Sequence, residues 1–568
     1  MGLCTRRLIR YGIKNYKKYM IFMFLLGIAT LVLAALRPFF IQYLIDDIIS
    51  FQRINILPFF LIFLIGVVAL ERVFNYFFNT YHRKVNFFTI KNEQINLYNK
   101  IQNSKFVDYS KMDSGDIMSR LLSDIDETSY TMALVLPTMC LNFLNLVVIS
   151  AILTYLNWQL FLIVLASLPF YWLIIRSSQT KLQNYSKIER KSFGKLTSSI
   201  KEKLDGQLII KVFGKTKYFS NSFSKDAENW SMQATKAGIF QITILNIAFF
   251  ISYVIPVIIL GLGGLLVIRG NMSLGTLIAF YSFVPWIYEP IGIINENLVQ
   301  LQRVEPLAER FFEILDMPEE EGDGIYLFPK DYNIEYKNVS FKYRDEIVLK
   351  NINLFFGKNE KVALVGTSGS GKSTMVSLLV RLYDPTNGKI LLGNKNITDY
   401  KLQEIREKIK LVRGNEPLFN MTVKENIMLD DEITEEEFMK AVKKAKVDKF
   451  IGLLDEGYDT VVGERGSKLS DGQRQRVAIA RALIREPKVL ILDEATSGVD
   501  SQTEEEIFDE LKEYKMTLII ISHRLSTIRK ANKVILLKDG EIKGEGVHEE
   551  LLKNAPIYKE IIESQLVV

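Results

Sequence analysis

Long apolar runs crowd roughly the first 300 residues, and they restrict the possible folds more than any other feature of the chain. Six stand out, at residues 20–45, 57–81, 132–156, 159–175, 240–268 and 274–294. As a helix rising ~1.5 Å per residue, each can cross a ~30 Å hydrocarbon core. Six such runs in one half of a chain argue against the core helices of a soluble protein. The expectation is a membrane domain of six spanning helices. The first run is too long for a signal-peptide core and is followed by no small-residue cleavage site, so it stays in the mature chain. Arg6 stands where N-myristoylation needs Ser or Thr.

Basic residues set the orientation. Arg6, Arg7, Arg10, Lys14, Lys17 and Lys18 precede the first run, and the connections after the second and fourth runs are long and rich in Lys and Arg. The other connections are short and carry little beyond Arg53 and Arg269. The N-terminus, both long connections and everything after the sixth run are therefore expected in the cytosol. The stretches 82–126 and 176–236 are amphipathic with few breakers, so spans two to five are expected to run on into the cytosol as helices. Short crossing segments join them, placed near residues 114–120 and 205–214.

Glu71 and Arg72 fall ~21 Å along the second span from its outer end, at ~1.5 Å per residue. Ionisable groups at that depth either line a polar cavity or form an ion pair, between helices or within one, near the inner interface. Prolines at 285 and 290 fit either bending or packing of the sixth span.

The second half reads as a soluble α/β domain. A helical stretch, 307–315, and an acidic turn, 318–324, separate it from the first half. The apolar strand at 361–365 leads into Gly366, Thr367, Ser368, Gly369, Ser370, Gly371, Lys372, Ser373 and Thr374, and a helical pattern follows. This is G-x-x-x-x-G-K-[ST] in its strand–loop–helix setting. Such a loop turns several backbone N–H groups and a helix N-terminus toward one phosphate. Lys372 reaches the β- and γ-phosphates, and the Ser373 hydroxyl ligates Mg²⁺.

Downstream, Ser470 is a good N-cap for a helix reaching about Arg485, with Gly472 and Gln473 in its first turn. A buried strand, 489–492, delivers Asp493 and Glu494 at its carboxyl end, where open α/β sheets place their chemistry. Asp493 is placed to hold Mg²⁺ and Glu494 to polarise the attacking water as general base. A second strand, 516–522, ends at His523, a candidate γ-phosphate contact. Tyr343 precedes the loop and could stack on a base. Cys4 and Cys140 are the only cysteines and there are three histidines, which argues against a disulfide framework or a metal cluster. A net charge of +6 without basic runs interleaved with aromatics gives no reason to invoke nucleic acid.

Taken together, Tyr343, Gly366 to Thr374, Ser470 to Gln473, Asp493–Glu494, Asp500 and His523 come in the order of the ABC transporter ATPase domain. Behind six spans, the whole chain resembles an exporter-type ABC half-transporter, similar to bacterial multidrug, lipid A and peptide exporters. The resemblance implies a six-helix transmembrane domain followed by an α/β P-loop NTPase domain. Its divisions are a cytosolic segment (1–18), a transmembrane domain (19–305), a linker (306–332) and an ATPase domain (333–568). It implies ATP and Mg²⁺ as ligands, and adds Asp500 to the nucleotide site. It also implies a multi-pass location in the cytoplasmic (inner) membrane. Two ATPase domains close head to tail, each ATP lying between the P-loop of one and Ser470–Gln473 of the other. One chain carries one of each, so a second half-transporter chain is required. Residues 114–121 resemble the first coupling helix of the family, and the stretch around Gly206 and Lys211 the second.

The match also shows departures. An ungapped register puts Gly414 where the family has its Q-loop glutamine. Asp471 replaces the first glycine of the usual signature, and Gly498 and Val499 stand where Ala and Leu are commoner. The leading expectation is ATP-driven export of a peptide, drug-like molecule or lipid by a homodimer. The alternatives are one subunit of a heterodimer, in which Gly414 and Asp471 mark an asymmetric site, and a regulatory membrane protein that binds ATP but hardly hydrolyses it. No cysteine-peptidase domain is seen, so leader cleavage by this chain is not expected.

Overall fold

The computed structural model describes residues 2–320, 322, 324–429, 432–522 and 524–566. The chain forms two compact units, one of Met1–Gln102 and Asp113–Asp316, the other of Asn103–Met112 and Met317–Val568.

The first unit is built from six helices long and apolar enough to cross a membrane. They are α1 (Leu3–Ile49), α2 (Leu57–Gln102), α3 (Ser114–Leu156), α4 (Trp158–Asp205), α5 (Thr216–Ile268) and α6 (Leu274–Leu315). Each contains one of the six apolar runs, and α2, α4 and α5 extend well beyond theirs, as their amphipathic flanks predict. Local chemistry sets the helix starts. Asn157 caps α4 by accepting from the Leu160 amide at 3.0 Å, and Ser273 caps α6 by accepting from Thr276 at 3.0 Å. The first turn of α1 is capped from a distance, its Cys4 and Thr5 amides donating to the Glu305 carboxylate of α6 at 3.1 and 2.9 Å.

The second crossing lies where the sequence places it, as a short helix, Gln207–Val212. The first does not. Residues 114–120 are the opening turns of α3, because the Asp113 carboxylate accepts from the Gly115 amide at 2.6 Å and caps a helix beginning at Ser114. The crossing is instead Asn103–Met112, with a one-turn helix, Phe106–Tyr109. It belongs to the second unit: the Phe106 ring packs edge-on to Tyr383 at 5.7 Å, and the Glu320 amide donates to the Asn103 carbonyl at 2.8 Å.

Helix α6 continues through Pro306 to Leu315, so residues 307–315 are its last turns. Among the described residues ten strands follow: β1 (Ile334–Tyr343), β2 (Glu346–Phe356), β3 (Lys361–Val365), β4 (Asn387–Leu392), β5 (Lys395–Asn396), β6 (Ile409–Arg413), β7 (Val489–Asp493), β8 (Thr517–Ile521), β9 (Lys533–Lys538) and β10 (Glu541–Gly546). An antiparallel sheet runs β2-β1-β4-β5, and a second sheet runs β10-β9-β3-β8-β7-β6. In the second, β3, β6, β7, β8 and β9 are parallel. Strands β3, β7 and β8 are buried along their whole length, which explains sequences that are apolar except for Lys361, Asp493 and Thr517 at their ends. Helix α7 (Lys372–Leu379) packs in one core with β1 and β2. Helix α8 (Asp471–Leu483) packs in another, against Val412 of β6 and Leu490 and Leu492 of β7.

Candidate functional site: a P-loop and a separate signature helix

The loop leaving β3 turns into α7 through Gly371, whose φ of 102° lies in the left-handed region. A Cβ there would meet Leu349 at 2.7 Å, so glycine answers both the conformation and the space. Lys372 is buried, its Nζ donating to the carbonyls of Gly366 and Thr367, both at 2.9 Å. Burial pushes its pKa down, while Glu494 and Asp493 pull it back up. Among the described residues the buried Ser370 hydroxyl has no hydrogen-bond partner. A loop with a buried ammonium, an unsatisfied hydroxyl and a helix N-terminus fits a phosphate group.

Asp493 ends β7, buried, and its carboxylate is hydrogen-bonded by the Ser373 side chain. Burial raises its pKa and the Ser373 bond opposes that rise. One serine hydroxyl and one carboxylate, with no wider cage of metal-ligating side chains among the described residues, suit Mg²⁺, which binds through few protein ligands alongside phosphate oxygens. Glu494 follows with φ 55°, its amide donating to the Ile521 carbonyl of β8 at 3.0 Å. A non-glycine residue in that region costs ~1–3 kcal/mol and is held there by its surroundings. Strand order puts β8 between β3 and β7, so the P-loop and the Asp493–Glu494 pair leave the same end of one parallel sheet, one strand apart. His523, expected at the end of β8, lies outside the described residues.

Tyr343 ends β1, 38% exposed, its ring edge-on to Phe341 at 4.8 Å and Tyr383 at 5.2 Å, its hydroxyl 3.4 Å from Thr374 Oγ1. One side is thus fixed beside the P-loop helix while the rest faces out.

The signature is a second place. Ser470 caps α8 in a reciprocal box: its hydroxyl accepts from the Gln473 amide at 3.3 Å, and its own amide donates to Gln473 Oε1 at 2.9 Å. Among the described residues no hydrogen bond joins Ser470–Gln473 to the P-loop, and the two helices sit in different cores. Asp471 points outward, 76% exposed at its side chain, and pairs with Arg474 one turn on. Asp500 caps the helix Ser501–Lys512, accepting from the Thr503 amide at 2.9 Å, a bond that holds its carboxyl below the usual range.

Two side chains that sequence reasoning passed over, Gln475 and Arg524, hold these pieces. Gln475, buried, donates to the Gly414 carbonyl and to Ser497 Oγ, both at 3.1 Å, and accepts from the Gly498 amide at 2.9 Å. It lies three residues after Gly472, on the same helix face, and that spacing was the available signal. Arg524 pairs with buried Glu504 and donates to the Val499 carbonyl at 2.8 Å. Gly414 itself follows β6, its amide donating to the Asp493 carbonyl at 2.9 Å.

Six spanning helices on the chain of a P-loop ATPase, whose signature helix stands apart from its P-loop, define a nucleotide-driven membrane transporter. The chain belongs to the ABC transporter family. The family profile "ABC transporter" matches residues 349–497, and "ABC transporter transmembrane region" matches residues 20–291. A relative named "Putative multidrug export ATP-binding/permease protein YgaD", from Bacillus subtilis (strain 168), is 30% identical over 97% of this chain and 98% of its own length. An ATP-dependent lipid A-core flippase of Syntrophus aciditrophicus (strain SB) is 34% identical over 83% of this chain and 79% of its own length. The fold is also that of a bacterial Atm1-family ABC exporter with ATP bound, at TM-score 0.80 and 24% identity over 97% of this chain and 98% of the other. The protein is thus an exporter-type half-transporter. It is multi-pass, with a cytosolic ATPase domain that uses ATP and Mg²⁺ to drive export.

Proposed function

We propose that this chain works as a homodimer in the cytoplasmic membrane and exports a peptide, drug-like molecule or lipid. The carrying observation is the separation of the P-loop from Ser470–Gln473 within one chain. A head-to-tail second copy supplies the missing half of each nucleotide site, so that Ser470, Gly472 and Gln473 of one chain face Gly366–Thr374 of the other. In this reading Tyr343 stacks on the adenine, and the P-loop amides, Lys372 and Thr374 position the phosphates. Ser373 and Asp493 would hold Mg²⁺, which would neutralise developing phosphate charge. Glu494 takes the proton of the attacking water, His523 contacts the γ-phosphate and Asp500 borders the nucleotide. The working divisions are a membrane domain at 19–305, a linker at 306–332 and an ATPase domain at 333–568, with a cytosolic segment at 1–18. The segments Asn103–Met112 and Gln207–Val212 interrupt the long helices and are the places where closure reaches the membrane spans.

A heterodimer is the second reading, favoured by Gly414 alone, since glycine cannot sense Mg²⁺ or water as a glutamine does. The test is ATP hydrolysis by the purified chain in lipid vesicles. Activity from this chain alone, lost ~10²–10⁴-fold in Glu494→Gln, is expected. Hydrolysis only after a second, different chain is added would sink the homodimer. Negligible hydrolysis in both forms would leave a regulatory ATP-binding protein.

A further inference from the structure

We propose that the membrane unit binds a zwitterionic solute carrying a free carboxylate and a free ammonium, such as a short peptide with open termini or an amino-acid conjugate. This deepens the exporter reading and rests on it. A cavity of about 520 Å³ lies among α1, α2, α3 and α6, within the range of small-molecule sites. Its walls carry two guanidinium groups, Arg37 and Arg72, and two carboxylates, Glu71 and Glu289. Charges at this depth are expensive and are kept where they act.

Structural pairing accounts for them only in part. Arg37 Nη1 and Glu71 Oε2 form an ion pair at 3.7 Å, too long for a hydrogen bond, although Glu71 is only 6% exposed. Among the described residues the buried Glu71 Oε2 and Thr138 Oγ1, both at this cavity, have no hydrogen-bond partner. Leaving such groups unmade costs ~1–3 kcal/mol each. A ligand ammonium satisfies Glu71 and Thr138, and a ligand carboxylate fits the fork of a guanidinium. Trp286 lies under Arg37, 4.8 Å from ring centroid to guanidinium carbon, and holds that plane toward the cavity.

The charge balance selects the class. Two positive and two negative groups suit neither a lipophilic cation, which wants aromatic faces with surplus carboxylate, nor a phosphorylated lipid head, which wants surplus guanidinium. A dipolar ligand meets both signs at once.

The full-length protein in liposomes tests this, with the ratio of stimulated to unstimulated ATP hydrolysis as readout. The probes are trialanine with free termini, N-acetyl-trialanine amide and tetraphenylphosphonium. Trialanine is expected to raise the rate at least about two-fold while the other two do not. Arg72→Gln and Glu289→Gln, on the more open walls, should each raise the half-stimulating trialanine concentration about ten-fold. Arg37→Gln and Glu71→Gln are read only if they elute as folded protein. Equal response to the blocked tripeptide, response to the cation alone, or no response to trialanine over intact hydrolysis would overturn the proposal. Should the parent hydrolyse no ATP, the exporter reading fails by itself, and calorimetric titration of trialanine then judges the cavity, with no binding counting against it.

Discussion

A Cβ placed on Gly414 would lie 2.6 Å from the backbone oxygen of Glu494. The position that bears the family's sensor glutamine is here pressed against the turn that carries the general base. Glu494 is held at φ 55°, and Gly414 donates to the neighbouring Asp493 carbonyl. The two backbones form one packed corner.

Gly414→Gln should therefore fail to restore a sensor. Overpacking of this kind costs ~1–3 kcal/mol, and the relief available is movement of Glu494. ATP hydrolysis in lipid is expected to fall at least about ten-fold, with a lower melting temperature. A variant faster than the parent would show that the corner yields without disturbing the base.

Gln475→Leu removes three hydrogen bonds that join the signature helix to Gly414 and to Ser497–Gly498. Burial without those partners leaves the Gly414 carbonyl and Gly498 amide unsatisfied, at ~1–3 kcal/mol each. Hydrolysis should drop by more than an order of magnitude while nucleotide affinity of the P-loop, read by fluorescent ATP titration, stays within about two-fold. Parallel losses of both would assign Gln475 to general folding.

Asp471 stands at a helix start meant for phosphate, yet its carboxylate is spoken for by Arg474. Asp471→Gly should thus change the KM for ATP by less than about two-fold and cost only ~0.3–1 kcal/mol of helix-dipole stabilisation. Arg474→Ala should raise KM several-fold by freeing the acid, and the double variant should recover. A KM that falls sharply in Asp471→Gly alone would mean that the acid faces the nucleotide.

Lys361 gives a pH signature. Its ammonium is buried and donates to the carbonyls of Tyr514 and Met516 at 2.8 and 2.6 Å, and burial pushes its pKa down to about 8. Unfolded, the group keeps its proton to about pH 10.4. Between these values the unfolded chain binds more protons, so this residue's contribution to stability rises with pH. Relative to Lys361→Met, the parent should gain up to about 3 kcal/mol between pH 8 and 10. Melting curves of the two in detergent check the sign; a parent that loses ground over that window contradicts it.

Much of this was readable from the chain because the signals were long or chemically redundant. Six apolar runs needed no partner to be recognised, and β3, β7 and β8 are apolar except at one end each (Lys361, Asp493 and Thr517) because both faces are covered. What escaped was set by distant residues. Residues 114–120 looked like a crossing, whereas the Asp113 cap makes Ser114 a helix start. The real crossing rests on Phe106 meeting Tyr383, a contact no local pattern encodes. For Glu71 an ion pair between helices was open in the sequence, but its partner, Arg37, was not legible there. Gly414 was visible as an oddity, and only the backbone oxygen of Glu494 explains its size.

The membership of Asn103–Met112 in the ATPase unit also bears on biosynthesis. Phe106 leaves the ribosome roughly 280 residues before Tyr383, some 15–60 s at ~5–20 residues per second. For that interval an aromatic hook hangs from a hairpin already threaded into the bilayer. One piece of the soluble unit is thus translated early and delivered by the membrane half. Assembly of the transporter is thereby ordered in time: insertion first, then capture of the waiting loop.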